Sequence, residues 1–413
     1  MTERAFAISV VKTLQDAGHQ ALWAGGCVRD ELLGLTPKDY DIATDAVPEQ
    51  VQKLFRRTLA IGASFGVVEV LGPRQDGQHL VVQVATFRTD SGYSDGRRPD
   101  QVVFSSPRED ALRRDFTING MFFDPIAGQL HDYVGGQNDL HARVLRAIGD
   151  PHVRFTEDKL RLLRAVRIAT RFELAIEPQT ASAIRAMASE LPVVSAERIA
   201  EELRQLLVHP RRVAGVRLLV DLGLAGVILP ELMTNRDAPC VEHWLRFMDL
   251  LGPAPSVPLA FAALLLPVSV ATADAIALRL KLSNQERGRI VWLVEHHESL
   301  VEAHRLRLSK LKGMLIHPGI HELLALHRAD ALADGANIEH VEFCERALCD
   351  WPAEKLNPPP LVTGADVMAL GIQPCPRYKE LLDAVREAQL DETIATREQG
   401  LALLRKLANA ATP

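Results

Sequence analysis

At 413 residues the chain is too long for a single core of ordinary size. A hydrophobic share of 47% with only 5% aromatics suits a largely helical, Leu- and Ala-rich protein better than a β-sandwich. The net charge of −6 argues only mildly against a nucleic-acid partner, because binding depends on local patches.

The longest apolar run, VPLAFAALLLPVSV from Val257, is short and interrupted by Pro267, so no bilayer-spanning segment and no membrane partner is expected. The N-terminus lacks a cleavable apolar leader, which leads to the expectation of a cytoplasmic protein. Five cysteines are dispersed without a C-x-x-C pair, an arrangement that suits reduced thiols and neither a disulfide framework nor a zinc site.

In chain order, AFAISVVKTLQDAGH reads as an amphipathic helix ending near Gly18, and ALWAGG as a short strand entering a turn. DYDIAT is strand-like and PEQVQKLF helical; FGVVEVLG and LVVQVATFR read as strands paired around PRQDG. Arg88 to Asp100, RTDSGYSDGRRPD, has the composition of a mobile loop, and RRDFTINGMFFDP is expected to enter another helix. Beyond Gly149 the β signals fade. The segments FTEDKLRLLRAVRIATRF, AERIAEELRQLL, RRVAGVRLLVDLG, VEHWLRFMDLL, SKLKGMLI, IHELLALHRADALADG and RYKELLDAVREAQL all show helical spacing. Trp351 to Gly364, WPAEKLNPPPLVTG, reads as a Pro-rich linker.

The chemistry starts at Gly25 to Thr44, GGCVRDELLGLTPKDYDIAT. On a strand, residues i and i+2 share a side, so Asp39 and Asp41 project together and Tyr40 faces the other way. Two converging carboxylates repel unless a cation neutralises them. Magnesium favours one or two carboxylates plus substrate phosphates, the setting of two-metal phosphoryl chemistry. Gly25-Gly26 stands where a strand meets a helix, so the backbone and a helix N-terminus can approach phosphate oxygens, with Arg29 one turn further on. The pattern is neither G-x-G-x-x-G nor a Walker A loop.

Three stretches in order, GGCVRDELLGLTPKDYDIATDA, RRDFTING and EDKLRLLRAVRIATRF, resemble the signature motifs of the class II tRNA nucleotidyltransferase and bacterial poly(A) polymerase family. The similarity is strong over roughly the first 175 residues and weaker in LLVDLGLAGVILPEL and near LVTGADVMALGIQP. It implies an α+β fold: a polymerase-β-like nucleotidyltransferase head with a small mixed sheet, followed by an all-helical neck, body and tail. The expected bounds are residues 1–145, 146–205, 206–350 and 351–413. It also implies a template-free reaction in which an RNA 3′-hydroxyl attacks the α-phosphate of CTP or ATP and pyrophosphate leaves. Asp39 and Asp41 would hold Mg²⁺, while Gly26, Arg29 and Arg114 would contact the nucleotide; Arg113 and Asp115 are weaker candidates. Many relatives carry Glu in the strand motif E-V-A-T-F-R, where this chain reads VQVATFR with Gln83. A neutral amide is a poorer ligand. Either two carboxylates suffice or Glu69 on the preceding strand compensates.

Such enzymes read the base with side chains. If EDKLRLLRAVR is one helix, Asp158 and Arg161 are i, i+3 neighbours. A carboxylate acceptor beside a guanidinium donor complements the amino group and ring acceptor of cytosine and adenine. Uracil and guanine reverse that polarity and leave buried groups unpaired, at about 1–3 kcal/mol each. From Arg143 to Arg171 there are eight Lys or Arg against three Asp or Glu. Arg154, Arg161, Arg164, Arg167 and Arg171 fall on one arc of the helix wheel and Leu162, Leu163, Val166 and Ala169 on the other, so that Arg164 and Arg167 are candidates for phosphate neutralisation.

His296-His297 and the HRAD segment at His327 lack the adjacent His-Asp of a phosphohydrolase set; the one His-Asp dipeptide is His131-Asp132, in the head. The activity that the resemblance implies is addition of C and A from CTP and ATP to tRNA 3′ ends. Alternatives are an A-adding enzyme, a CC-adding enzyme or a poly(A) polymerase and, more remotely, an inactive RNA-binding module. The substantial loop at Arg88 to Asp100 argues against CC-only addition, the lack of a long basic C-terminal arm against poly(A) synthesis, and the aspartate pair against inactivity. The oligomeric state is open.

Overall fold

The computed structural model describes residues 1–60, 66–75, 77–91, 101–234, 238–372 and 376–410. They group into two compact units, Met1–Leu206 with Ala214–Met233, and Leu207–Val213 with Thr234–Pro413.

The first unit begins with helix α1 (Glu3–Asp16), started by the Thr2 side chain on Ala5 N–H and stopped before Gly18, whose φ is 88°. Strand β1 (Ala21–Ala24), helix α2 (Gly26–Leu32), strand β2 (Asp41–Thr44) and helix α3 (Pro48–Leu54) follow. Then come β3 (Thr58–Leu59), β4 (Val67–Gln75), β5 (Gln78–Thr86), β6 (Arg88–Ser91), β7 (Gln101–Phe104) and helix α4 (Pro107–Leu112). Strands β8 (Met121–Asp124) and β9 (Gln129–Asp132), helix α5 (Gly136–His141) and strand β10 (Val144–Leu145) complete the mixed α/β part. Among the described residues the main sheet has seven strands in the order β3-β4-β5-β2-β1-β8-β9. Only the β2–β5 contact within it is parallel. One face rests on Leu22, Ala24, Ala43, Phe87, Ala111 and Phe122, with Phe87 and Phe122 edge to face at 5.8 Å.

Two sequence expectations change here. RRDFTINGMFFDP does not enter a helix. Helix α4 precedes it, a 3₁₀ turn covers Thr117–Asn119, and MFFD is strand β8, paired with β1 (Trp23↔Phe123, Ala24↔Phe122). Two adjacent apolar residues, Met121 and Phe122, are both fully buried, one on each side of the central sheet, which a strand permits and which blurs the alternation used to recognise it. The expected loop also begins as structure: β6 and β7 pair Arg88↔Phe104 through Ser91↔Gln101, while 92–100 lie outside the described residues.

Helices α6 (Pro151–Glu157), α7 (Arg161–Phe172), α8 (Pro178–Met187) and α9 (Ala196–Leu207) follow, with a small strand β11 (Ala175–Ile176) beside β10. EDKLRLLRAVR is not one helix. Asp158 is extended (φ −151°, ψ 106°), and its Oδ1 accepts from Leu160 N–H at 3.0 Å. An Asp side chain that bonds its own following backbone competes with the helix and breaks it there.

The second unit is helical in its described elements. Helix Val257–Leu265 is buried from Leu259 onward, which accounts for the apolar run. Arg212 is fully buried and donates to the carbonyls of Leu207, Met248 and Gly252. Val362, Val367, Leu381, Val385 and Leu404 form a separate small core. The expected linker is pinned, not free: Asn357, Pro358 and Pro359 accept hydrogen bonds from Arg386 and Gln389. His327 is a core residue, 5.4 Å from His340 ring to ring, and burial lowers its imidazole to about 4.

Candidate functional site

A cavity of about 560 Å³ in the first unit is lined by residues of all three motifs. Its floor is the end of the sheet. Gly25 has φ 74°, a conformation that favours glycine, and a Cβ there would stand 2.8 Å from Arg114 Nη1 and push that guanidinium aside. Gly26 then opens α2.

Asp39 and Asp41 both line the cavity. Asp39 lies just before β2 and Asp41 is its first residue; both are exposed, while Tyr40 between them is buried, 4.8 Å from the Trp23 ring. The expected same-side projection is thus present. Although open to the cavity, Asp41 is surrounded by protein. Desolvation first and Asp39 second push its carboxyl up to about 6, against the opposing pull of Arg114. Among the described residues neither carboxylate accepts a side-chain hydrogen bond or forms an ion pair. Two close, uncompensated carboxylates are a donor set that fits a hard divalent cation.

The register settles how Gln83 and Glu69 are disposed. Asp41 pairs with Gln83 across β2–β5, and Gln83 with Glu69 across β5–β4. Glu69 is therefore two strand spacings from Asp41, about 9–10 Å. It accepts a hydrogen bond from Gln83 Nε2 at 3.4 Å.

The remaining candidates sit in a lattice of ion pairs. Arg29 is buried; Nε and Nη2 donate to Asp30, Nη1 donates to Asn119 at 2.6 Å, and its guanidinium lies 4.0 Å over the Phe172 ring. Most of its donors serve the cavity wall, so it is less free to grip a phosphate than its spacing suggested. Arg113 and Arg114 both clasp Asp110, at 2.6 and 2.9 Å. Burial would raise the Asp110 carboxyl, but the two arginines outweigh it and hold it below the usual range. Asp115 is buried too. Its Oδ2 accepts from Arg164 at 2.7 and 3.0 Å and its Oδ1 from Asn119 at 3.0 Å, and these partners outweigh desolvation and depress its carboxyl strongly.

On α7, Leu162, Leu163, Val166 and Ala169 are buried, while Arg161, Arg164, Arg167 and Arg171 line the cavity. The expected division of that helix is present. Arg154, in contrast, belongs to α6 and bonds Glu157 and the Leu112 carbonyl. Asp158 and Arg161 both reach the cavity but do not pair, because the helix is interrupted between them. Arg161 is bound to Glu157 at 2.5 Å, and Asp158 to Arg198 at 2.7 Å. Arg167 pairs with Glu202 at 2.5 Å.

Sequence reasoning passed over Asn119, Phe172, Asp110, Arg198 and Glu202. Asn119 and Asp110 lay within or beside a quoted motif. Arg198 and Glu202 sit in AERIAEELRQLL, whose helical spacing carries no signal of a partner on another helix.

Residues 21–146 match the poly A polymerase head domain, and residues 173–235 the probable RNA and SrmB- binding site of polymerase A. The CCA-adding enzyme of Bacillus subtilis (strain 168) is 32% identical over 375 residues, which cover 90% of each chain. That of Geobacillus sp. (strain WCH70) is 33% identical over 388 residues, covering 92% of this chain and 91% of its own. The Bacillus stearothermophilus CCA-adding enzyme, solved in complex with CTP, superposes with a TM-score of 0.78 at 27% identity, over 99% of this chain and 98% of that one.

Proposed function

The chain belongs to the CCA-adding tRNA nucleotidyltransferase family, and on that premise we propose that it adds C and A from CTP and ATP to tRNA 3′ ends without a template, releasing pyrophosphate. The observation that carries the site assignment is the convergence of the glycine turn, the aspartate pair and the α7 arginines on one cavity.

Members of this family generally depend on a divalent metal. We assign the ion as Mg²⁺ and its ligands as Asp39 and Asp41. Bound there, it would favour the attacking hydroxylate and offset charge on the phosphates. The chain's own residues do the rest. Gly25 N–H is taken by the Met121 carbonyl, so it is the N–H groups that open α2 from Gly26 that approach the triphosphate. Arg114, Arg164 and Arg167 supply positive charge on its flanks, and Arg29 stiffens the wall between α2 and Phe172. Asp158 accepts from the exocyclic amino group of cytosine or adenine, and Arg161 donates to the neighbouring ring nitrogen. The RNA 3′-hydroxyl then attacks the α-phosphate, and pyrophosphate leaves.

The division into head 1–145, neck 146–205, body 206–350 and tail 351–413 is the working assignment, with the tRNA acceptor meeting the neck's basic face by shape and phosphate contacts. No described helix is long and apolar enough to cross a membrane, and a tRNA substrate suits a cytoplasmic site of action. The test is incubation of the purified chain with Mg²⁺, labelled CTP or ATP, and tRNAs ending before CCA, after C or after CC. Ordered addition of C, C and A is expected. Incorporation of A alone, or of long A tracts, would replace CCA addition by one of the narrower activities.

A further inference from the structure

The acceptor used to read the base is itself held by a residue from a different helix. Arg198 is in the first turn of α9, a helix fixed by the buried side chains of Ile199, Ala200, Leu203, Leu206 and Leu207. Its guanidinium meets the Asp158 carboxylate edge on, Nη1 donating to Oδ1 at 3.2 Å and Nη2 to Oδ2 at 2.7 Å. Oδ1 also accepts from Leu160 N–H at 3.0 Å. A carboxylate has about four lone-pair sites. Three are therefore filled by the protein, both on Oδ1 and one on Oδ2. One acceptor site, on Oδ2, is left for a ligand, and Arg198 itself borders the cavity into which a base would come.

We propose that Arg198 is a specificity-determining positioning residue: by filling three sites together with Leu160 N–H and fixing the carboxylate plane, it reduces Asp158 to a single directed acceptor. This rests on the reading of Asp158 as a base-contacting residue. One directed acceptor matches one N–H of the amino group on cytosine or adenine. A carbonyl brought to the same place meets a lone pair that cannot turn away, because the two-point guanidinium contact and the backbone N–H oppose rotation. An unrestrained Asp has a broad terminal torsion and can swing aside, which would make a uracil O4 far less costly to admit. The arginine fork provides this restraint; a lysine, with one point of charge, would keep the attraction and lose the plane.

The test uses the full-length chain, with single-nucleotide addition to tRNA ending before CCA. Arg198→Met, Arg198→Lys, Asp158→Ala and the double variant Asp158→Ala/Arg198→Met are compared with the parent. Arg198→Met should lower the preference for CTP over UTP by about tenfold or more, the scale of one unpaired buried polar group. KM for tRNA should be unchanged and thermal unfolding should remain cooperative. Arg198→Lys should recover part of kcat with CTP but little of the discrimination. The double variant should discriminate no worse than Asp158→Ala alone, because Arg198 acts through that carboxylate. Equilibrium binding of CTP and UTP without tRNA should show the same narrowing.

If Asp158→Ala loses discrimination while a folded Arg198→Met keeps it, the inference is overturned and the base-reading assignment stands. If Asp158→Ala itself keeps full preference, the base-reading assignment is what fails. A rise in tRNA KM with an unchanged C-to-U ratio would make Arg198 an RNA contact instead. If Arg198→Met does not fold, Arg198→Lys and the binding measurement still decide, since full discrimination by the lysine variant contradicts a planar restraint.

Discussion

Two groups of carboxylates, in the wall of one cavity or directly behind its arginines, are treated in opposite ways. At the sheet end, Asp39 and Asp41 face each other's charge without an ion pair, and the Asp41 carboxyl is raised to about 6. On the helical side, Asp110 and Asp115 are more deeply buried, yet their carboxyls are lowered, because arginines from the same or neighbouring elements clasp them. Burial alone therefore does not set the charge state here; the presence of a fixed cation does. The helical carboxylates have their cations in the sequence and serve architecture. The sheet pair has no such ion-pair partner among the described residues, and above the pH at which Asp41 takes up a proton its electrostatic cost is relieved by a cation that binds. Asp158 stands between these cases, compensated by Arg198 but with one acceptor site to spare.

The sharpest way to break this contrast is at the sheet end. Asp39→Ala or Asp41→Ala should abolish nucleotide addition and leave the fold intact, and near-parental transfer by either purified variant would refute the metal assignment. The stability signature is distinctive. The folded Asp41 carboxyl binds its proton more tightly than the unfolded one, so the parent loses stability as pH rises from about 4 to about 6, and the penalty is complete above that. Metal-free Asp41→Asn should therefore melt above the parent at pH 8 and near it at pH 4. Added Mg²⁺ should raise the melting temperature of the parent and not of the variant.

On the helical side the sign reverses. Asp115→Asn should destabilise the protein, because Arg164 loses its charged partner. Breaking a wholly buried pair costs about 3–5 kcal/mol; Arg164 keeps a third of its side chain in solvent, so about 2 kcal/mol is expected. The depressed Asp115 carboxyl contributes stability that is present above pH 4 and is lost only in strong acid. A denaturant midpoint at pH 7 that equals the parent's would show the pair to be worthless to the fold.

The intermediate case should change selectivity more than stability. Asp158→Ala is expected to cost CTP and ATP use about 1.5–3 kcal/mol, one to two decades in catalytic efficiency, and to relax discrimination against UTP. Arg161→Ala should weaken CTP and ATP together. Addition assays with all four triphosphates check both. An Asp158→Ala enzyme that still prefers C and A fully over U would mean that the base is read elsewhere.

How much of this was legible in the sequence follows the same divide. The aspartate pair could be read because its geometry is local: a period of two on a short strand fixes which side chains point together. The α7 arginine face was legible for the same reason, with a period of 3.6. The ion pairs were not, since Asp115 meets Arg164 and Asp158 meets Arg198 across 49 and 40 residues of chain. The helix break at Asp158 escaped because the apolar period carries through it, while the interruption comes from one side chain bonding one N–H. Strand β8 gives no strand signal in the sequence because Met121 and Phe122 are buried on both faces of the sheet, which leaves no alternation to detect.

The smallest expected effect lies where the sheet end departs from the family pattern. Gln83 is the register neighbour of Asp41, so Gln83→Glu sets a third carboxylate one strand away from the pair, whereas Glu69 stands a further strand off and bonds Gln83 instead. Without metal, the added charge should repel Asp41 and raise its carboxyl further, so the metal-free variant should lose a little stability at pH 8. With Mg²⁺ the same charge becomes an additional acceptor, and the variant should be active, with half-saturation at a lower Mg²⁺ concentration than the parent. The two measurements together locate position 83. A variant that folds, shows no destabilisation without metal and titrates with Mg²⁺ as the parent does would put residue 83 beyond electrostatic reach of the pair, and two carboxylates would then suffice for the metal site of this chain.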